Sequence, residues 1–480
     1  MTLSQAEIVE HLHRLLPAEQ IDTDPDTLRL RSIDNFRKLQ YIFDRFVGPF
    51  PAAVVYPNST EEVATLLAFA DEQGVNVVAR TGGTATEGGL ETPVEHSIVV
   101  DGGRMNRILS IDAYNMQATV QCGVPLQVLE DEARKVGLTT GHSPQSKPVA
   151  HLGGLTATRS IGQFSTLYGG IEDMIVGCEV VFPGGEVCRI KNVPRRAAGP
   201  DIRHIVIGNE GALCYITEVT VKLFPYHPEN HTFLGWTVKT MKEGFEVLRE
   251  VMVAGFKPSV ARLYDYEDGQ LHFSHFVAPD DCIVLFMAEG NAGIVKATAD
   301  GIAEIAARHP GCVPVDPAHL AEWFYDLTWG PDKITREDER IRTTRNVNRT
   351  TEISADWSTI NDIYDAVLPR IRAEIRGITL LGGHSSHSYI NGTNMYFNYF
   401  YDIDCEPEQE NEEYYFPIID IICEETLKRG GSIVHHHGIG KARSKWVREE
   451  YGTSFHMLET LKHAFDPNGV MNMGTIIPRS

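Results

Sequence analysis

The sequence predicts an α+β protein of mixed elements, not a doubly wound dinucleotide fold. Strand-like and helix-like patterns alternate from Pro49 onward without the regular strand-helix repeat of a parallel sheet. Three loops rich in glycine and hydroxyl residues follow or precede strand patterns: Ala79 to Leu90, Gly141 to Ser160, and Gly208 to Ile216. No complete G-x-G-x-x-G follows a strand: Gly438-Ile439-Gly440 begins one, but Arg443 stands where its last glycine would be.

The elements can be justified in order. Residues 1–48 read as a helical arm, with Ser4 capping a helix that carries Ile8, Leu12, Leu15 and Leu16 on one face. The segment Asp34 to Phe46 reads as a helix packed on a neighbouring domain. Pro51 to Pro57 is a short strand. Ser59 and Glu62 have capping-box spacing, Val63, Leu66, Leu67 and Ala70 follow at helical intervals, and Gly74 closes the helix. Val75 to Val78 is a buried strand leading into the first loop. Ser97 to Asp101 and Met116 to Cys122 are further strands. Pro125 opens a helix with Leu126, Val128, Leu129 and Ala133, and Gly137 ends it. Met174 to Val181 is a strand before a Pro183-Gly184-Gly185 turn. Thr217 to Leu223 alternates and reads as a half-buried strand. Ser454 to Phe465 is a helix near the C-terminus.

Length and composition bound the function. A chain of 480 residues is expected to hold two or three domains. A net charge of −22 opposes a polyanion-binding surface, which disfavours nucleic acid as a partner. The 8 cysteines are scattered with no C-x-x-C pair, as expected of reduced, buried thiols in a cytoplasmic protein. The N-terminal stretch has no apolar core of a signal peptide, and no run is long and apolar enough to span a bilayer. The first loop, Arg80-Thr81-Gly82-Gly83-Thr84-Ala85-Thr86, combines bare backbone with hydroxyl donors, which suits a phosphate or pyrophosphate; a tight turn is the alternative. Three such loops within one domain length favour a single large phosphate-bearing ligand.

Chemistry-bearing residues concentrate later. His435-His436-His437 precedes a Gly-x-Gly turn, and a neutral imidazole is an apt proton acceptor near neutral pH. Tyr396 is either an acid/base group or a wall aromatic. Arg262 sits in an apolar stretch and needs an anionic partner: a ligand, or an acid such as Asp265.

The order P-x-x-V-V-x-P-x-[ST]-x-E-[EQ]-V, a G-G-T loop, G-H-x-P-x-S, T-R, and G-N-E-G-x-L-x-x-I-T-E resembles the FAD-binding domain of the vanillyl-alcohol-oxidase superfamily, the p-cresol-methylhydroxylase (PCMH) type. The segments Ser259 to Asp265, Asn394 to Phe397 and Gly431 to Lys441 are similar to alkyldihydroxyacetonephosphate synthase. The resemblance implies a PCMH-type FAD-binding domain over 49–226, an α+β cap domain over 227–431, and a His motif with a C-terminal return over 432–480. It implies that Arg80 to Thr86 hold the FAD pyrophosphate. Gln145, Ser146, Gly153, Thr158, Arg159, Ser160, Glu210, Gly211, Ala212 and Ile216 would hold the adenine and flavin portions. With no His or Cys in the glycine loop, the FAD is expected to be non-covalent. The resemblance assigns His435, His436, His437, Tyr396 and Arg262 to catalysis.

Gly382-Gly383-His384-Ser385-Ser386-His387 departs from the synthase and looks like FAD-linked 2-hydroxy-acid dehydrogenases, which implies a divalent metal at His384, His387 and His436. The synthase's substrate arginine has no secure match among Arg340, Arg342 and Arg345. The expected activity is oxidation of a small hydroxylated, anionic substrate by hydride transfer to flavin N5, with an electron-transfer flavoprotein as acceptor. The alternative is a redox-neutral synthase-like transferase that uses a flavin N5 adduct. A homodimer is implied by resemblance alone.

Overall fold

The computed structural model describes residues 3–327 and 329–479. Its elements form three main sheets, two in the N-terminal half and one in the C-terminal half. The first sheet has strand order β1 (Ile21–Asp22), β2 (Ala53–Val55), β4 (Ser97–Asp101), β3 (Asn76–Arg80). Strands β2, β4 and β3 are parallel, and β1 runs antiparallel to β2. The arm over 1–48 therefore contributes a strand as well as helices. Two residues of strand are too short to show a period of 2 in the sequence.

The arm's first helix, Gln5–Leu15, carries the full capping box between Ser4 and Glu7. It buries Ile8 and Leu12 completely, each contributing about 1.5–3 kcal/mol relative to exposure. Leu16 joins them, whereas Leu15, expected on the same face, is 36% exposed. Further on, Phe36, Leu39 and Ile42 pack into the C-terminal core. The arm thus bridges both halves. The helix Thr60–Gln73 connects β2 to β3 and ends at Gly74 in the left-handed region (φ 67°). Only half of the expected capping box forms: Ser59 Oγ accepts from the Glu62 amide, but the Glu62 carboxylate turns to the Asn58 amide and Gln20.

The second sheet is antiparallel, in the order β5 (Ile108–Asp112), β6 (Gln117–Gln121), β10 (Tyr215–Lys222), β8 (Ile175–Val181), β9 (Val187–Ile190). Strand β10, read as half-buried, is buried along nearly its whole length. It lies at the centre of the sheet, so both of its faces are covered. The helix Leu126–Arg134 forms as expected, with Val128 on its solvent side. Two short strands, β7 (Leu138–Thr139) and β11 (Phe224–Pro225), pair with each other.

The third sheet has seven strands: β15 (Val313–Pro314), β12 (Thr232–Val238), β14 (Cys282–Ala288), β13 (Val260–Tyr264), β17 (Ile378–Ser385), β18 (Gly392–Asp402), β16 (Asn346–Asp356). All pairings are antiparallel. Helices Met241–Val253, Ala292–Ala306, Ile360–Glu374 and Phe416–Lys428 supply the apolar residues of the largest core. After the helix Phe455–Phe465, the tail returns to the first sheet. The Val77 amide donates to the Val470 carbonyl at 2.8 Å, and the Asn472 amide donates to the Val77 carbonyl at 2.8 Å. All 8 cysteines are free, and no described helix is long and apolar enough to cross a membrane.

Candidate active site

The three small-residue loops converge at the C-terminal end of β3. A Cβ on Gly82 would sit 2.6 Å from the Val149 carbonyl oxygen, so the first two loops touch backbone to backbone. A Cβ on Gly154 would lie 3.1 Å from Thr81 Oγ1, and one on Gly211 3.0 Å from Ala79 Cβ. Glycine is required at Gly82 by contact, and at Gly83 by its left-handed backbone (φ 72°). Among the described residues, no amide from Gly83 to Thr86 donates to a protein group. Arg80 is buried behind the loop; Nη1 donates to the Ile33 carbonyl, and Nε has no partner. Free amides, hydroxyls and a buried guanidinium fit the diphosphate of FAD.

The other expected cofactor contacts divide into two groups. Gln145 and Ser146 lie on the loop facing the first, and Gly153 packs against Cys122. Thr158 Oγ1 donates to the Gly154 carbonyl, and Ser160 pairs with His142 Nε2 at 3.2 Å. Arg159 adopts φ 53° and pairs with Glu172 at 3.1 Å. The Glu210 carboxylate accepts the amides of Ile439 and Gly440, both at 2.8 Å, which fixes the turn after the His triplet. Ala212 gives its carbonyl to Lys462, and Ile216 is paired within the second sheet. These residues are held by contacts within the protein, while the amides of the first loop stay free.

The His triplet is held from below by Glu352 on β16. This carboxylate, fully buried, accepts the amides of His435 and of His437, the latter at 2.9 Å. Arg443, also fully buried, donates to the carbonyls of Glu352 (3.1 Å) and Ile433 (2.6 Å) and forms a bidentate pair with Glu87. Burial pushes the imidazoles of His435 to about 4 and His437 to about 3, and His436 and His387 well below their usual range. All four are neutral near pH 7.

These rings are linked in series. Tyr389 Oη is 2.8 Å from His435 Nε2. His435 Nδ1 is 2.8 Å from His436 Nδ1. His436 Nε2 is 2.7 Å from Tyr396 Oη. Register on the third sheet explains the placement: His384 on β17 is paired with Tyr396 on β18, and their rings stack at 4.5 Å. His384 stacks on Tyr264 as well, and its Nδ1 bonds Asp268 at 2.5 Å. Arg262, two residues before Tyr264 on β13, donates to the Tyr264 hydroxyl.

The expected metal set is corrected by this geometry. His384 faces Asp268, and it is His435 that joins His387 and His436, with ligand atoms within 4.8 Å of one another. Both nitrogens of His435 and of His436 are taken by hydrogen bonds, and His387 Nδ1 pairs with Ser165 at 2.8 Å. No metal is supported at this site. The arginines offered as substrate ligands are also accounted for. Arg340 binds Asn346 and Asn348, Arg342 the Ile42 carbonyl, and Arg345 the Cys405 carbonyl. Sequence reasoning missed Glu352, Arg443, Glu87, Asp268 and Tyr389. No local apolar pattern marked them: Glu352 lies in a polar stretch, with Arg349, Thr350, Thr351 and Ser354 beside it.

Comparison with known proteins gives the family. The family model described as FAD binding domain matches residues 51–191, and that described as FAD linked oxidases, C-terminal domain, matches 227–476. The chain is 58% identical to the Escherichia coli (strain K12) protein called uncharacterized FAD-linked oxidoreductase YgcU, across 100% of this chain and 99% of that protein. It is 28% identical to the Caenorhabditis elegans alkyldihydroxyacetonephosphate synthase, across 89% of this chain and 76% of the synthase. More distant relatives are called D-lactate dehydrogenase [cytochrome] in Arabidopsis thaliana (24% identical) and glycolate oxidase subunit GlcD in Bacillus subtilis (26%). A solved alkyldihydroxyacetonephosphate synthase superposes with a TM-score of 0.78 at 23% identity, covering 100% of this chain and 86% of the other, and shares the fold. The chain belongs to the FAD-linked oxidoreductases that join a PCMH-type FAD-binding domain to a FAD-linked oxidase C-terminal domain, and FAD is its cofactor.

Proposed function

We propose that this oxidoreductase is a dehydrogenase of a small hydroxylated anion. The observation that carries the reading is Arg262. The residue is 4% exposed, and its guanidinium lies 5.3 Å over the Trp323 ring and has no acidic partner among the described residues. Asp265, the structural alternative, is committed elsewhere: it accepts the amides of Asp268 (2.8 Å) and Gly383 (2.7 Å) and the Tyr364 hydroxyl (2.7 Å). A buried guanidinium with Nε unpaired calls for an anion from a ligand. Ser386 Oγ, Asn394 Nδ2 and His437 Nδ1 are likewise buried without partners, and they add polar groups for a hydroxylated molecule.

FAD supplies the hydride acceptor at N5 when bound. The protein's part is to hold the substrate's anionic group on Arg262 and its hydroxyl toward Tyr396. The phenol and the neutral His436 behind it receive the hydroxyl proton. Electrons would pass on to an acceptor such as an electron-transfer flavoprotein. The names of the lactate- and glycolate-oxidising relatives fit this substrate class. A second reading, the synthase-type transferase, is favoured by the His triplet and Tyr396 together with the synthase relatives. Anaerobic flavin bleaching separates the two. Bleaching by a member of a panel of hydroxy acids, polyols and sugar acids supports the dehydrogenase. No bleaching by any of them, with acyl release from an acylated ketone phosphate, supports the transferase.

A further inference from the structure

The hydrogen bonds from Tyr389 through His435 and His436 to Tyr396 form an unbroken chain of three links at 2.8, 2.8 and 2.7 Å. The middle link joins the Nδ1 atoms of two adjacent imidazoles. Only one of those atoms can carry the hydrogen. Burial keeps both rings neutral, so each has one N–H and one lone pair. The tautomer of one ring therefore dictates that of the other. When His436 carries its hydrogen on Nδ1, it donates to His435, whose hydrogen lies on Nε2 and points to Tyr389; His436 Nε2 then accepts from the Tyr396 hydroxyl. In the opposite arrangement every bond reverses.

We propose that Tyr389, His435, His436 and Tyr396 are a proton relay whose two imidazoles switch tautomer together, with Tyr389 as the outer terminus. This rests on the dehydrogenase reading only for the origin of the proton. The transfer balances. The substrate O–H proton passes to Tyr396 Oη as the Tyr396 proton moves to His436 Nε2. The His436 Nδ1 proton moves to His435 Nδ1, the His435 Nε2 proton to Tyr389 Oη, and the Tyr389 proton to solvent. One proton enters, one leaves, and all four groups end neutral. No imidazolium is formed, which is what burial of the rings demands.

The outer end is placed for release. Tyr389 begins a turn closed by its amide donating to the Gly392 carbonyl, and the next residue, Ile390, is 68% exposed. Its phenol lies in the field of Glu172, Asp173 and Arg159 from the FAD-binding half. Arg159 is 56% exposed on its side chain, and Glu172 keeps one oxygen, Oε2, without a partner. The inner end, Tyr396, stacks on His384 and meets the His436 ring edge-on.

The test needs no substrate. Holoenzyme labelled with ¹⁵N in its histidine rings is compared with Tyr389→Phe and Tyr396→Phe, each checked for full FAD content. Tyr389 does not touch His436, and Tyr396 does not touch His435. The relay predicts that Tyr389→Phe shifts the ring ¹⁵N resonances of His436 and that Tyr396→Phe shifts those of His435, with His11, stacked on Phe69 in the N-terminal arm, unmoved in both. Changes confined to the ring that lost its neighbour overturn it. A coupled pair in a protein whose flavin no hydroxylated compound bleaches would sink the dehydrogenase and keep the relay. Bleaching with uncoupled rings would do the reverse.

Discussion

Glu87 and Arg443 form a bidentate ion pair sealed from water: Nε lies 3.1 Å from Oε2 and Nη2 3.0 Å from Oε1, with side chains 2% and 0% exposed. One residue belongs to the glycine loop of the FAD-binding half, the other to the stretch after the His triplet. The pair therefore locks the two halves at the active site. Breaking a buried pair by removing one partner costs roughly 3–5 kcal/mol. Arg443→Met is expected to lower the unfolding free energy, read from urea curves, by an amount in that range and to release flavin. Retention of wild-type stability would show that the pair adds nothing.

Gly82 admits no side chain. Its Cβ would meet backbone, the Val149 carbonyl at 2.6 Å, which cannot move without shifting the second loop. Gly82→Ala is expected to purify with far less flavin, read from the ratio of visible to ultraviolet absorbance. Acid precipitation of the wild type should leave all of its FAD in the supernatant, as a dissociable cofactor requires.

On the proposed reading, Tyr396 and His436 share the proton-accepting step. Tyr396→Phe and His436→Gln should each slow flavin reduction by about 10²- to 10⁴-fold with FAD retained. Burial holds the His435 imidazole at about 4 and His436 well below its usual range. The wild-type rate should thus stay flat from about pH 8 to about pH 5 instead of falling near the free imidazole's value of about 6.5. A break near pH 6.5 would contradict the buried neutral state.

Arg262 makes no ion pair among the described residues. Arg262→Lys keeps the charge and loses the planar fork, so KM for an anionic substrate should rise at least tenfold, about 1.4 kcal/mol, while a neutral alcohol is affected less. Equal losses for both would assign the residue to the wall.

His437 ties stability to pH. Burial lowers it to about 3, against about 6.5 in an unfolded chain. Between these values the unfolded chain binds a proton that the folded chain does not. The residue's favourable contribution is complete above about pH 6.5 and is lost as pH falls. The acids Glu210 and Asp265, pushed by burial up to about 7, titrate in the opposite sense, so a difference measurement is needed. The stability of the wild type minus that of His437→Asn, from urea curves, should decrease between pH 7.5 and pH 5.5.

The local features were legible where one residue's chemistry decides them. Ser4, Gly74 and the three loops each announce a cap, a helix end or a close approach, and each sits where the pattern placed it. Patterns that depend on what covers a face were less legible. Leu15 and Val128 fit their helical stripes yet face solvent, and β10 alternates in sequence while both faces are covered. The supporting charges were the least legible. Glu352 and Arg443 are separated by 91 positions, and Glu87 and Arg443 by 356. Nothing in local spacing connects them. The expected metal set misplaced one residue for a related reason: β17 points His384 toward Asp268, and only the fold reveals that neighbour.

The tail's return to the first sheet ties the cofactor cradle to distant chain. Val77 receives its edge partners from Val470 and Asn472, and Asn472 Nδ2 donates to the carbonyls of Gly89 and Glu210, both at 2.8 Å. The strand that launches the first loop, that loop itself and the third loop are thus stitched by one segment, 383 positions beyond Gly89 and 262 beyond Glu210. A chain in which this segment is undocked presents an unfinished nucleotide cradle, so flavin content should report on the docking of Val470 and Asn472.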